Sequence, residues 1–300
     1  MGRQLAQASA AAATVFATVD DALGEPLSQL AWEGPADQLD QTVNAQPAIL
    51  ACSIALLRAL EEAGLDVEPA FYAGHSMGQY SALVAAGVLE LADAARLVRE
   101  RGRLMQGSAE DGAMAALIGL ADERLAELEA VGRAAGVFTI ANRNSPGQVV
   151  VSGERAAVEA AAEAAKGLGA KRALMLPVSV AAHSPLMTRA AEGMKAALAD
   201  VRFADPRAPL LSNADARPLE TGGACREELV EHLTRGVDWI AAVERMSAAG
   251  VSHFVEIGPG KVLSGLIRRI APDAATHPTD DPAAAGHVGL PSFDQAATPA

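Results

Sequence analysis

Apolar residues recur at helical spacing over long stretches of the chain, and short apolar runs separate those stretches. The spacing predicts helices over residues 2–24, 46–64 and, with a break near Gly87, 77–106. The segment "EPAFYAG", which lies between the second and third helices, is typical of a short buried strand. Because helices alternate with a buried strand, the pattern predicts an α/β layered core.

The pattern changes over residues 112–179. "GAMAALIGL" predicts a strand, "DERLAELEAVGRAAG" a helix, and "VFTIANRNSPGQVVVSG" two strands around a turn. "ERAAVEAAAEAAKGLGA" then predicts a helix and "KRALMLPVS" a strand. The order β-α-β-β-α-β is the ferredoxin-like pattern. We therefore expect a small ferredoxin-like subdomain inserted into the larger α/β core.

After residue 179 the chain returns to the core pattern. A helix is predicted over 184–200, a strand at "PLLSN", helices over 226–249 and a strand at 253–258. From residue 272 the sequence is rich in Pro, Ala, Gly and Asp, which predicts disorder. The predicted organisation is therefore a core of residues 1–111 and 180–271, a subdomain of 112–179, and a disordered tail of 272–300.

Composition and charge narrow the class of protein. Half of the 300 residues are hydrophobic and only 3% are aromatic, so the core must be built mainly from Ala, Leu and Val. A formal net charge of −13 argues against a nucleic-acid partner, which would require a basic face. The two cysteines lack the spacing of a metal site and favour a reducing compartment.

Targeting signals are not evident. The alanine-rich start is interrupted by Gln4, Gln7 and Ser9, which favours a helix over an export signal. No apolar run approaches the roughly 18–20 uninterrupted residues of a membrane span. We therefore expect a cytoplasmic protein that does not bind a membrane.

The stretch "FYAGHSMGQY" has the form G-x-S-x-G, with Ser76 at its centre. In a nucleophile elbow a strand turns abruptly into a helix, so the serine hydroxyl is exposed and neighbouring glycines allow close approach of the chain. The backbone N–H of the next residue, Met77, would then point toward a developing oxyanion. Because "GHSMG" lies between a predicted strand and a predicted helix, we interpret Ser76 as a nucleophile rather than as part of an ordinary turn.

A serine nucleophile needs a base, and the chain has six histidines. The side chain of His75 should diverge from its neighbour Ser76 at a sharp turn. His277 and His287 fall in the predicted tail, and His253 opens a strand. His183 and His232 remain, of which His183 is favoured because it lies on a loop between a strand and a helix. No acidic residue is evidently placed as a third member.

Five blocks follow one another along the chain: "AGHSMGQYSALVAAGVLELADAARLVRERGRLMQ", "GAMAALIGL", "NSPGQVVVSG", "GAKRALMLPVSVAAHSPLM" and "VEIGPGKVLSGLIRRI". Together they resemble malonyl-CoA:acyl carrier protein transacylases, the malonyltransferase family of bacterial fatty-acid synthesis. The resemblance extends from near the N-terminus to about residue 271.

The resemblance implies ping-pong transfer through a malonyl ester on Ser76. It implies that His183 is the general base, oriented by a carbonyl oxygen rather than by an aspartate, and that the N–H of Met77 serves the oxyanion. It also implies that Arg101 pairs with the malonate carboxylate, which suits a guanidinium. By spacing alone Arg99 or Arg103 would serve equally well.

Further residues are assigned only by the resemblance. Lys171 and Arg172 match basic residues that dock the acidic carrier protein. His232 stands near the catalytic histidine, where the family usually has glutamine or asparagine, and is a candidate for orienting it.

The start of the chain departs from the family pattern. The family opens with a core strand and a "GQGSQ" loop, whose glutamine supplies the second oxyanion N–H, and residue 1 aligns just after that loop. We therefore expect a hydrolase-like parallel-sheet core without its first strand.

The leading hypothesis is malonyl transfer from malonyl-CoA to acyl carrier protein by a monomer that needs no cofactor. One alternative is a serine esterase or thioesterase, which would have no use for Arg101. The other is an impaired carrier-binding protein that lacks the N-terminal oxyanion loop.

Overall fold

Helices dominate the first hundred residues, as the apolar spacing predicts. The computed structural model describes residues 1–108, 111–178 and 180–279. Short 3-10 turns at Asp122–Arg124 and Pro185–Met187 precede two of the helices. The helices are α1 Arg3–Ala8, α2 Ala10–Leu23, α3 Leu27–Glu33, α4 Ala36–Leu39, α5 Thr42–Glu62, α6 Gly78–Ala85, α7 Leu91–Gln106, α8 Leu125–Ala135, α9 Arg155–Gly167, α10 Thr188–Leu198, α11 Gly222–Glu231, α12 Trp239–Ala248 and α13 Val262–Ile270.

The helix predicted over residues 2–24 is divided in two at Ser9. The Ser9 backbone is extended, and its hydroxyl oxygen accepts a hydrogen bond from the N–H of Ala12 at 3.0 Å. A serine in this position satisfies one of the free N–H groups at the start of a helix. The break therefore follows from N-capping, which the apolar spacing does not reveal.

The long helix α5 lies at the centre of the larger core and packs against α2 and α7. By length and composition it is the one helix of the described ranges that could cross a membrane. However, 67% of its apolar window is buried inside the protein, which is the usual property of a core helix. Its apolar side chains therefore have protein partners.

Nine strands are described, and four of them form the predicted subdomain. Adjacent strands pair in the order β4-β1-β3-β2, all antiparallel, which is the ferredoxin-like arrangement. The fifth strand of the sheet, β7, adds to β2 in parallel. The strands are β1 Gly112–Ile118, β2 Phe138–Ser145, β3 Gln148–Glu154, β4 Arg172–Met175, β5 Leu210–Leu211, β6 Pro218–Leu219, β7 Val237–Asp238, β8 His253–Glu256 and β9 Ala275–Pro278.

Side chains alternate across the subdomain sheet, as expected for strands. Ala115 and Val151 face a small apolar core that they share with Leu128 of α8 and Val158 of α9. Met114 on the opposite face belongs to the large core. The subdomain therefore rests on the helical core through one face of its sheet.

Parallel pairing within the larger core is short. The segment predicted as a buried strand, "EPAFYAG", makes a single parallel bridge from Tyr72 to Leu210, and residues 71–73 are only half-buried. The strand predicted at "PLLSN" is reduced to the two residues of β5. The α/β class is confirmed, but the prediction of a buried strand before Ser76 was wrong in its extent and burial.

The predicted tail begins too early. Residues 275–278 form β9, which pairs in parallel with β8, so the prediction of disorder from residue 272 was wrong for this segment. The Ala275 N–H donates to Ser252 O at 2.8 Å and the Thr279 N–H to Glu256 O at 3.0 Å. Such backbone bonds do not depend on side-chain composition, which was the basis of the prediction. Residues 280–300 lie outside the described residues.

Candidate active site

Ser76 lies on a sharp turn between the bridge residue Tyr72 and the start of α6. Its φ of +52° falls in the left-handed region, which costs free energy for a residue with a side chain. A Cβ at Gly74 would overlap the carbonyl group of Gly78, whereas a Cβ at Gly78 would meet nothing within 4 Å. The tight turn therefore requires glycine at position 74 but not at 78.

Asn213 clamps this turn from the carboxyl end of β5. Its side-chain oxygen accepts a hydrogen bond from the Ser76 N–H at 2.7 Å, and its amide nitrogen donates to Gly74 O at 3.1 Å. A strained backbone persists only where surrounding contacts determine it. The two hydrogen bonds of Asn213 supply such contacts on either side of the nucleophile.

The hydroxyl of Ser76 contacts a histidine that is itself oriented by a carbonyl group. Ser76 Oγ lies 2.8 Å from His183 Nε2, and His183 Nδ1 lies 2.6 Å from the backbone oxygen of His232. Because a carbonyl oxygen only accepts, Nδ1 carries the proton and Nε2 is the acceptor for the serine O–H. This is the tautomer that a general base requires.

His183 is 3% exposed. Burial, and after it the neighbouring Arg101 guanidinium, lower the pKa of the His183 imidazole to about 3. The ring is therefore neutral at neutral pH and free to accept a proton. A negative charge bound beside Arg101 would offset the effect of its guanidinium and raise the pKa of His183.

Two other histidines, His232 and His75, lie close to the site but have different contacts. His232 orients His183 through its backbone carbonyl, and its ring packs edge-on against the His183 ring with the centroids 5.9 Å apart. Among the described residues neither nitrogen of the His232 ring has a hydrogen-bond partner. The ring of His75 turns away from Ser76, and its Nε2 lies 2.8 Å from Asn144 Oδ1 in the subdomain.

Arg101 points from α7 directly at the nucleophile. It is 2% exposed, and its guanidinium donates to Ser76 Oγ at 3.1 Å and to Gln46 Oε1 at 2.7 Å. No carboxylate of the described ranges forms an ion pair with it. The other two candidates are occupied elsewhere, since Arg99 pairs with Glu25 and Arg103 pairs with Glu100.

The backbone N–H of Met77 has no hydrogen-bond acceptor in the part of the chain that the structure describes. It stands at the N-terminal end of α6, immediately after Ser76. A free N–H beside the nucleophile is the geometry that stabilises a developing oxyanion.

Lys171 and Arg172 lie apart from this group of residues, at the start of β4. Both are exposed, and β4 is an edge strand of the subdomain sheet. Large apolar side chains on and beyond the same strand, Leu174, Met175 and Val178, are exposed beside them. The site residues predicted from the sequence therefore divide into a buried group around Ser76 and an exposed basic pair.

Two residues of the site were missed by sequence reasoning. The sequence pattern places Asn213 at the end of the strand predicted at "PLLSN" and gives it no role, although a polar residue at the carboxyl end of a core strand is a recognisable signal. Gln46 begins the apolar run "QPAIL", whose pattern predicts only the start of a helix. Its role depends on the position of Arg101 on another helix, so no local pattern reveals it.

The arrangement can supply a nucleophile, a neutral base, an oxyanion donor and a buried cation. Such a set suits the transfer of an acyl group that carries a carboxylate. Within residues 1–108, 111–178 and 180–279, no cluster of three or more His, Cys, Asp or Glu side chains is placed to hold a metal ion.

Comparison with known proteins agrees with this chemistry. Residues 1–281 match the acyl transferase domain family. The malonyl CoA-acyl carrier protein transacylase of Escherichia coli K12 is 45% identical over 271 residues, which cover 90% of this chain and 87% of the relative.

Solved structures are equally similar. The acyl-carrier-protein S-malonyltransferase of Bartonella henselae superposes with a TM-score of 0.91 and 46% identity over 94% of this chain and 91% of that one. A malonyl-transacylase in complex with a type II PKS acyl-carrier protein gives a TM-score of 0.90 and 39% identity over 96% and 94% of the two chains. The chain therefore belongs to the acyl transferase domain family, and the relatives described are malonyltransferases.

Proposed function

We propose that this protein transfers a malonyl group from malonyl-CoA to the phosphopantetheine thiol of an acyl carrier protein, through a malonyl ester on Ser76. The observation that carries the proposal is Arg101: a buried guanidinium touches the nucleophile, and no carboxylate of the described residues pairs with it. Burying an unpaired charge costs free energy, and an anionic substrate group that pairs with Arg101 would offset that cost.

The size of a malonyl group fits this geometry. In a malonyl ester the carboxylate carbon is only three bonds from the ester oxygen. A guanidinium that donates to Ser76 Oγ at 3.1 Å is therefore within reach of that carboxylate. An acetyl group offers Arg101 no partner, so acetyl-CoA should be a poor substrate.

In the first half of the reaction, His183 Nε2 accepts the Ser76 proton as Oγ attacks the thioester carbonyl. The N–H of Met77 donates to the oxyanion. When the intermediate collapses, His183 returns the proton to the departing sulfur of CoA. The product is malonyl-Ser76.

The second half reverses these steps with a different thiol. His183 accepts the proton of the phosphopantetheine thiol, whose sulfur attacks the malonyl ester. The Ser76 oxygen leaves and recovers the proton from His183. In both halves the malonate carboxylate offsets the charge of Arg101, which raises the pKa of His183 toward a useful range.

The remaining assignments follow from this function. Lys171 and Arg172, exposed on an edge strand, would attract an acidic carrier protein. The reaction needs no cofactor beyond the substrate malonyl-CoA, and we place the enzyme in the cytoplasm as a monomer.

Radiolabelled malonyl-CoA with carrier protein tests the proposal. We expect label on Ser76 and on the carrier, with both lost in Ser76→Ala. Arg101→Ala should lower kcat/KM for malonyl-CoA by about 100- to 1,000-fold, the scale expected when a buried pair loses one partner. Arg99→Ala, on the same helix but paired with Glu25, is the matched control and should stay within a few-fold.

Two results would contradict the proposal. Hydrolysis of neutral esters that survives Arg101→Ala, with no label reaching the carrier, would indicate an esterase. Carrier binding with no labelled serine, even after long incubation, would indicate a carrier-binding protein.

A further inference from the structure

A buried carboxyl group lies behind the dyad and has no part in the steps above. Glu228, near the end of α11, is 0% exposed. Its Oε2 has no hydrogen-bond partner among the described residues. A carboxyl group in such a place is costly unless its contacts compensate. Two sets of contacts connect it with Ser76 and with His183.

The first connection leads to the nucleophile. Glu228 Oε1 accepts a hydrogen bond from the backbone N–H of Asn213 at 2.6 Å. Asn213 in turn accepts from the Ser76 N–H and donates to Gly74 O. Glu228 therefore fixes the backbone of Asn213, and the Asn213 side chain fixes the strained turn at Ser76.

The second connection leads to the base. His232 follows Glu228 by one helical turn, and its N–H donates to Glu228 O at 3.0 Å. Glu228 Oε1 lies 3.9 Å from the His232 ring nitrogen Nδ1. The carbonyl group of His232 is the one that accepts from His183 Nδ1. The Glu228 side chain thus contacts both Asn213, which fixes Ser76, and His232, which orients His183.

We propose that Glu228 is a positioning residue that sets the alignment of Ser76 Oγ with His183 Nε2, through Asn213 on one side and His232 on the other. This inference rests on the Ser76–His183 dyad of the proposed function. Since an ionised acceptor makes a hydrogen bond about twice as strong as a neutral one, the alignment depends on the charge of Glu228.

That charge changes near neutral pH. Burial raises the pKa of the Glu228 carboxyl group to about 7. The groups that face it are the Arg217 guanidinium at 4.0 Å, the carboxylates of Asp215 and Glu231, the His232 ring and the Cys225 thiol. Burial raises the pKa of the Cys225 thiol to about 11, so it is uncharged near neutral pH. Arg217 favours the ionised form and the two carboxylates oppose it. In the free enzyme His183, with its pKa of about 3, does not titrate in this range. In the malonyl complex any titration of His183 would persist in Glu228→Gln, so that variant separates the two groups.

The test measures the single-turnover rate of malonyl-enzyme formation from radiolabelled malonyl-CoA between about pH 5.5 and 8.5. We expect the wild-type rate to rise about 3- to 10-fold through a step near pH 7. Glu228→Gln, which keeps a neutral acceptor of the same shape, should be flat at the lower level. Glu228→Ala should fall about 10- to 100-fold below wild type with KM for malonyl-CoA unchanged.

Glu227→Ala is the matched control, because Glu227 is exposed on the same helix. It should behave as wild type. A second readout is the NMR signal of the His183 Nδ1 proton, which should shift near pH 7 in wild type but not in Glu228→Gln. A change of packing alone would not produce this difference.

Three outcomes would overturn the inference: no step in the wild-type profile, the same step in Glu228→Gln, or a Glu228→Ala rate per folded molecule equal to that of Glu227→Ala. The comparison of wild type with Glu228→Gln does not depend on folding of the alanine variant. Label that persists in Ser76→Ala would instead refute the dyad itself, so the two failures are distinguishable.

Discussion

The ferredoxin-like subdomain and the core around Ser76 are stabilised by different kinds of contact. In the subdomain, β1 and β3 pair without interruption from Gly112 opposite Glu154 to Ile118 opposite Gln148. Around Ser76, a single bridge and short strands are supplemented by buried polar side chains. The subdomain core is mainly apolar and its β1–β3 pairing is regular, although β2 shifts register against β3 at two points. The site, in contrast, is built from short pairings and buried polar side chains.

The difference also concerns distance along the chain. The Ser76–His183 contact joins residues 107 positions apart, and the Ser76–Asn213 contact joins residues 137 apart. Periodic apolar patterns act over a few residues and predict the subdomain well. Single polar contacts over such separations leave no periodic trace, yet they determine the geometry of the nucleophile.

The largest expected effect breaks the site while leaving the subdomain intact. In Gly74→Ala the new Cβ would overlap the carbonyl group of Gly78, so the turn at Ser76 must open. We expect the rate of malonyl-enzyme formation to fall more than about 100-fold, because small misplacements of a nucleophile cost that much.

Gly78→Ala is the control for this variant, since its Cβ would meet open space. Its rate should remain within a few-fold of wild type. Equal losses in both variants would show that the whole G-x-S-x-G motif, rather than the close contact at Gly74, requires glycine.

A smaller effect concerns the stability of the polar site. The pKa of Glu228 rises from 4.5 to about 7 on folding, so between these pH values the folded protein holds a proton that the unfolded chain has released. The free energy of unfolding therefore falls by about 3 kcal/mol as pH rises across this window. Above the window Glu228 contributes no further change. Glu228→Gln should remove this fall.

Urea unfolding at about pH 5 and pH 8 measures the effect. Relative to wild type, Glu228→Gln should be more stable at the higher pH than at the lower one. Glu227→Gln, at an exposed position on the same helix, should follow the wild-type pH dependence. A wild-type slope retained in Glu228→Gln would contradict the assignment.

The smallest effect is confined to the subdomain. Val151 is fully buried in the apolar core beneath α8 and α9. Val151→Ala removes two methyl groups and should lower the free energy of unfolding by about 2 kcal/mol. The turnover of the folded enzyme should not change, because no catalytic contact passes through this core.

Chemical denaturation and kinetics on the same sample separate these two quantities. Glu163→Ala, on the exposed face of α9, should change stability by less than about 0.5 kcal/mol. A loss of turnover in Val151→Ala without unfolding would show that the subdomain core and the site are coupled, which would contradict their independence.

The sequence by itself determined the α/β class, the β-α-β-β-α-β order and the turn that carries Ser76. These features depend on local periods, on glycine, and on the fixed geometry of strands and helices. The residues alone favoured His183 over His232 as the base, and the resemblance to known relatives selected Arg101 from Arg99, Arg101 and Arg103. The tertiary structure showed physically that Arg101, rather than Arg99 or Arg103, faces Ser76, because their spacing along α7 is compatible with several orientations.

Tertiary structure also decided the features that depend on pairing between distant segments. Composition predicted disorder where β9 pairs with β8, since backbone hydrogen bonds do not require apolar side chains. Asn213, Gln46 and Glu228 gain their roles only from the neighbours that folding brings to them. A buried polar side chain is specified by its partner, and partners 15, 55 and 137 residues away lie beyond the few residues over which a periodic pattern acts.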